Sequence, residues 1–274
     1  MRLFPWQFPV KQKEFVAWSG NTGHSAGPHL HLEIRDTKTE SPMNGLLFFN
    51  QIPETEKPIL KQLALYNGTT SIYEQSPKLI PITQQGIHFD LASPMLEVSS
   101  DKVFFGLQAA DIMQVSRGIL GVYEIRLYVN DKPHFAKQLD SINYNITRYM
   151  NAQADYKTVK QNGPWIQLIH NFPNDKLPIY KSKSISNGIV NLVEGLPQKI
   201  RIEALDSKGN MSSLEFYVKK NLEGEATKVI SEKIKAGKAE IYKSANIALH
   251  IPREALYDDI HIQTQSIASE KSFL

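Results

Sequence analysis

Two histidines two residues apart, His29 and His31, lie in the run Pro28-His29-Leu30-His31-Leu32-Glu33-Ile34-Arg35. Polar residues at 29, 31, 33 and 35 alternate there with apolar ones at 30, 32 and 34. In an extended chain a period of two sends the two sets to opposite faces. A half-buried strand is therefore expected, its open face presenting both imidazoles roughly 6 to 7 Å apart at a rise of about 3.3 Å per residue. Neutral imidazole is a preferred zinc ligand, and two rings fixed on a rigid strand can share one metal-centred site. The competing reading is a pair of solvated histidines on an ordinary sheet face. The loop ahead of the strand, Ser19-Gly20-Asn21-Thr22-Gly23-His24-Ser25-Ala26-Gly27, favours the metal. Its three glycines reach backbone conformations that other residues resist, and Pro28 disfavours helix just before it.

Ser19 to Gly23, Ser25, and Gly27 to Arg35 resemble the closing motif of the M23 (lysostaphin/LytM-type) zinc metallopeptidases, which cut peptide cross-links of bacterial peptidoglycan. The resemblance implies that His31 is a zinc ligand and that His29 is catalytic, assisting the attacking water or the transition state. Val10 to Trp18 is similar to the family's lead-in to the glycine loop, and Ser41-Pro42-Met43-Asn44-Gly45-Leu46-Leu47-Phe48-Phe49 to the segment that closes the peptidase domain.

The family's remaining ligands, a histidine and an aspartate in an HxxxD motif, precede the glycine loop, as does a further catalytic histidine. Here the only histidine before His29 is His24, and the first aspartate is Asp36. A catalytic zinc is held by three protein ligands and a water whose pKa it lowers, so the half-site recognisable here is expected to hydrolyse little alone. Two readings follow. One is an M23-type endopeptidase of peptidoglycan or muropeptides whose missing half-site comes from elsewhere, a partner chain included. The other is a non-catalytic cell-envelope binding or scaffold module. The resemblance implies a bacterial envelope or periplasmic setting, and Met1 is then expected to be a displaced start.

The 274 residues suffice for two or three domains. Basic residues number 31 and acidic ones 28, a formal charge of +3, and their scatter carries no nucleic-acid reading. The absence of cysteine excludes disulfides and thiolate metal sites. Met1 to Trp6 is too short and too interrupted by proline for a signal peptide, and no run approaches the length of a membrane span. The glycine loop lacks the spacing and helix start of a dinucleotide site.

The fold class expected is mainly β: a partial M23-type antiparallel sheet over residues 1–55, an immunoglobulin-like sandwich over 56–220, and a linker with a short β segment over 221–274. Pro53 to Pro58 reads as the first linker. Strands are expected at Ile59–Tyr66, ended by Asn67-Gly68, at Gly86–Leu91, Val103–Ala109, and Tyr123–Val129, closed by Asn130-Asp131. Others are expected at Trp165–Ile169, Lys199–Ala204 and Ser213–Val218. Asp140 to Tyr156 spaces Ile146, Tyr149, Met150 and Ala154 as one short helix would. Near the C-terminus Ala239–Tyr242, Ala248–Pro252 and Ala255–Tyr257 read as strands, too few to close a second sandwich. The isolated histidines His88, His134, His170, His250 and His261 are expected to be surface or hydrogen-bonded core residues.

Overall fold

A computed structural model describes residues 7, 9–23, 26–181, 186–221 and 232–265. The chain divides into two compact units, residues 1–34 and 35–274.

Within the first unit, Phe15 and Trp18 meet edge to face at 5.3 Å. The strand expected over residues 28–35 differs: residues 28–33 join no ladder, and strand geometry is confined to Ile34–Arg35. Leu30 and Leu32, the intended buried face, are 90% and 68% exposed. Alternation makes a strand only where a neighbouring strand takes its hydrogen bonds and a core takes its apolar face. Within residues 28–33 neither is supplied.

The second unit is mainly β. Strands β1 (Ile59–Asn67), β2 (Lys78–Gln85), β3 (His88–Leu91), β4 (Met95–Val98), β5 (Lys102–Ile112), β6 (Ile119–Leu120), β7 (Glu124–Val129) and β8 (Lys132–Gln138) come first. β9 (Gln167–Ile169), β10 (Val190–Asn191), β11 (Gln198–Leu205) and β12 (Met211–Lys220) follow. They form one curled sheet in the order β8-β7-β11-β12-β3-β2-β1-β5-β9. β2 is the corner: Lys78 to Pro81 pair with β1 and Ile82 to Gln85 with β3. Pro81 lacks a backbone donor and sits where the strand changes partner, a position that tolerates proline.

Curling brings the two halves face to face over one core. Leu63, Leu65, Phe105 and Leu107 contribute from one half, and Ile125, Leu127, Ile200, Ile202, Leu214 and Phe216 from the other. Phe105 and Phe216 pack edge-on at 5.4 Å. Burying aromatic and aliphatic side chains from both layers stabilises such an arrangement by about 1.5–3 kcal/mol per large side chain. Turn chemistry fixes the β7–β8 register, because Asn130 and Asp131 both take positive φ (50° and 63°), as a two-residue hairpin of matching twist requires.

The β1–β5 half also buries its outer face. Ala64, Tyr66, Phe104, Ile166, Leu168 and Phe172 form a second cluster there with Ile72 and Ala152. Gly106 permits the close approach, since a Cβ built on it would lie 2.4 Å from Ile166 Cγ2. The single helix expected over Asp140 to Tyr156 is instead a 3₁₀ segment, Tyr144–Gln153, followed by α1, Tyr156–Lys160. Each has its own side-chain N-cap: Asn143 accepts from Asn145 N, and Asp155, between the two, accepts from Thr158 N.

Residues 41–54, placed with the leading segment by the sequence, bond to the sandwich. Asn44 N donates to Asp140 O at 2.8 Å, and Lys208 Nζ donates to Leu46 O and Phe49 O. At the other end β13 (Glu232–Ile234) pairs with β16 (Ile260–Ile262), and β14 (Glu240–Ser244) with β15 (Ile247–Ile251), around Ile234, Tyr242 and Ile251. Ala255 to Tyr257 is a turn rather than a strand. Most of the expected second linker, residues 222–231, lies outside the described residues.

Candidate functional site

His29 and His31 belong to the first unit and both are exposed. The His29 Nδ1 lies 2.9 Å from Gly27 O, so the carbonyl that ends the glycine loop orients that ring. His31 Nε2 lies 3.2 Å from Glu33 Oε1. Glu33 is the member of this group that sequence reasoning did not single out, although it stands two residues beyond His31, in phase with it. A carboxylate on one imidazole nitrogen fixes the tautomer and ring direction, and it leaves the opposite nitrogen as the lone-pair donor.

A zinc ion fits this set only in part. Among the described residues no group of three or more His, Asp or Glu side chains converges to hold a metal, and His24 lies outside them. The two imidazoles and Glu33 equal a catalytic zinc's three protein ligands in number but do not converge on one point. No hydrolytic step therefore follows from the described residues.

No family model, curated protein or solved structure matches the chain.

The other histidines are placed as isolated groups. His170 is buried between Phe104 and Phe172, with ring centroids 4.8 and 4.6 Å away, and bonds to Asn187 O at 2.7 Å. Burial pushes it down to about 4, against a weaker opposing effect of that bond, so it is neutral in the core at pH 7. His134 bonds to Ile189 O at 2.8 Å, and His261 sits 2.9 Å from the Glu74 carboxylate. His88 and His250 are exposed.

Two charged clusters were not evident in the sequence. Lys137 lies on the buried face of β8 and donates to Gln153 Oε1 at 3.1 Å and Leu168 O at 2.6 Å. Gln153 donates in turn to Asp175 Oδ2 at 3.0 Å, and Tyr180 Oη donates to the same carboxylate. Burial pulls Lys137 down to about 7, with Asp175 opposing. The available signal was phase: Lys137 stands two residues from Phe135 in an alternating strand, on the buried face. The second cluster centres on Asp111, which is buried with Oδ1 unpaired. Burial first, then the Asp206 and Glu54 carboxylates, push it up to about 6.

Two concave features complete the surface. Among the described residues no helix is long and apolar enough to cross a membrane. A cavity of about 380 Å³ opens between Tyr73, Tyr156 and Tyr257 over the second core. A groove of about 280 Å³ runs past Trp165.

Proposed function

We propose that residues 1–34 are the closing part of an M23-type zinc metalloendopeptidase centre acting on peptidoglycan cross-links. The sandwich that follows them in the sequence is a non-catalytic cell-envelope module. The observation that carries this reading is the pair of exposed imidazoles behind a glycine loop, His29 directed by Gly27 O and His31 by Glu33. The exposure of Leu30 and Leu32 supports it, because an alternating segment with an uncovered apolar side is what a sheet looks like when its neighbours are supplied from elsewhere.

In the completed centre zinc would polarise the scissile carbonyl and acidify its bound water. His31 would contribute one nitrogen ligand, held in direction by Glu33, while His29 would hold or move a proton beside the reacting atoms. No HxxxD pair precedes His29 within residues 1–274, so the family's other donors are not recognisable in this sequence. This chain by itself is then a binding protein rather than a hydrolase.

Incubation with purified peptidoglycan sacculi tests the reading. The chain is expected to sediment with the sacculi, to release no new amino groups, and to sediment equally well as the His31→Ala variant. Failure to sediment contradicts the module. Amino-group release that survives His31→Ala contradicts the assignment of the centre.

A further inference from the structure

The groove beside Trp165 combines an exposed aromatic face with uncommitted hydrogen-bonding groups. It is lined by Lys61, Gln108, Ile119, Gly121, Trp165 and Gln167, together with alanine and leucine positions of β5 and β6. Trp165 is 58% exposed, held at the mouth because the next residue, Ile166, is locked in the second core. Such exposure of the largest apolar side chain runs against the hydrophobic effect, and it stands out when the ring borders a concave surface.

The polar side chains around it share one property. The side chains of Lys61, Gln108, Trp165 and Gln167 have no hydrogen-bond or ion-pair partner among the described residues. Two amides, one ammonium and one indole N–H thus face the groove with their capacity unused. Gly121 keeps the wall open, as a Cβ there would come within 2.9 Å of Gln167 Nε2.

We propose that this groove binds a neutral glycan, with one pyranose ring stacked on Trp165. Sugar C–H bonds carry partial positive charge and suit the negative face of an indole. Ring hydroxyl and acetamido groups are matched by amides that both donate and accept, as with Gln108 and Gln167. A nucleotide is disfavoured because, among the described residues, Lys61 is the only cation lining the groove and a phosphate backbone is recognised by several. The volume of about 280 Å³ suits one or two sugar rings rather than a folded partner. The proposal names the ligand class for the envelope module above and rests on that reading only in choosing an amide-bearing glycan as probe.

The test titrates the full chain with the β-1,4-linked trisaccharide of N-acetylglucosamine, following the backbone amides by NMR, beside sedimentation with sacculi. Saturable binding is expected, at least tenfold weaker in Trp165→Ala and several-fold weaker in Gln108→Ala, with melting temperatures unchanged because both side chains lie at the surface. Unchanged affinity in Trp165→Ala overturns the proposal. So does sedimentation with sacculi without trisaccharide binding at millimolar concentration, which leaves the module reading intact. Trisaccharide binding without sedimentation supports the groove and overturns the module reading.

Discussion

Phe105 and Phe216 come from opposite halves of one curled sheet and meet edge-on, centroids 5.4 Å apart and planes inclined at 83°. Both are essentially inaccessible to solvent, so this pair joins the layers. Phe216→Ala is expected to lower unfolding free energy by about 3–5 kcal/mol, the range for deleting a buried ring and leaving a cavity. Urea denaturation followed by far-UV circular dichroism measures it. A loss below about 1 kcal/mol would show that the halves are not held by this contact.

Gly106 leaves room for Ile166 in the second core. Gly106→Ala drives a methyl into Ile166 Cγ2 at 2.4 Å, with Tyr66 and Ala64 blocking retreat. Overpacking of this kind costs about 1–3 kcal/mol. Combining it with Ile166→Ala, which removes the clashing Cγ2 methyl, is expected to cost less than the sum of the two single substitutions. The readout is the denaturation midpoint of single and double variants.

Lys137 gives stability a dependence on alkaline pH. Its folded value is lowered to about 7 from 10.5, so between those values the unfolded chain binds more protons than the folded one. Stability then rises with pH from about 7 toward 10, at up to about 1.4 kcal/mol per pH unit. Below 7 the charged amine is buried at full cost. Lys137→Met should flatten this slope, read as denaturation midpoints at pH 7, 8 and 9. An unaltered slope would mean that another group is responsible.

The C-terminal strands are held to the sandwich by polar contacts. Asp258 Oδ2 accepts from Ser71 Oγ and Ile72 N at 3.0 and 3.1 Å, and Asn174 Nδ2 donates to Leu256 O at 2.7 Å. Asp258→Ala leaves the Ile72 amide without its acceptor, a loss worth about 1–3 kcal/mol. Hydrogen exchange should speed up across residues 232–265 and leave the amides of β5 and β11 unchanged. Uniform acceleration throughout the chain would contradict docking as a separable step.

The strands that pack on a core were legible because alternation and turn residues agreed. β1, β5, β11 and β12 each contain the run read from the sequence, β7 contains all of its run but Tyr123, and Asn130-Asp131 closes its hairpin as expected. The 3₁₀ winding of Tyr144–Gln153 was not legible, since helix-like spacing does not distinguish three residues per turn from 3.6. Docking of the C-terminus was hidden because carbonyls such as Leu256 O and Arg148 O accept the bonds, and a carbonyl carries no residue identity. At the candidate site, periodicity indicated which side chains share a side of Pro28 to Arg35. It could not supply the neighbouring strand, which is why Leu30 and Leu32 are exposed.

Zinc titration of ¹⁵N-histidine-labelled chain tests the central claim most directly. If His29 and His31 are half of one metal centre, both rings respond together to zinc, with a dissociation constant weaker than about 1 µM, and His31→Ala abolishes the response at both. One zinc per chain held tightly and retained in His31→Ala, or rings that never respond together, would contradict the account.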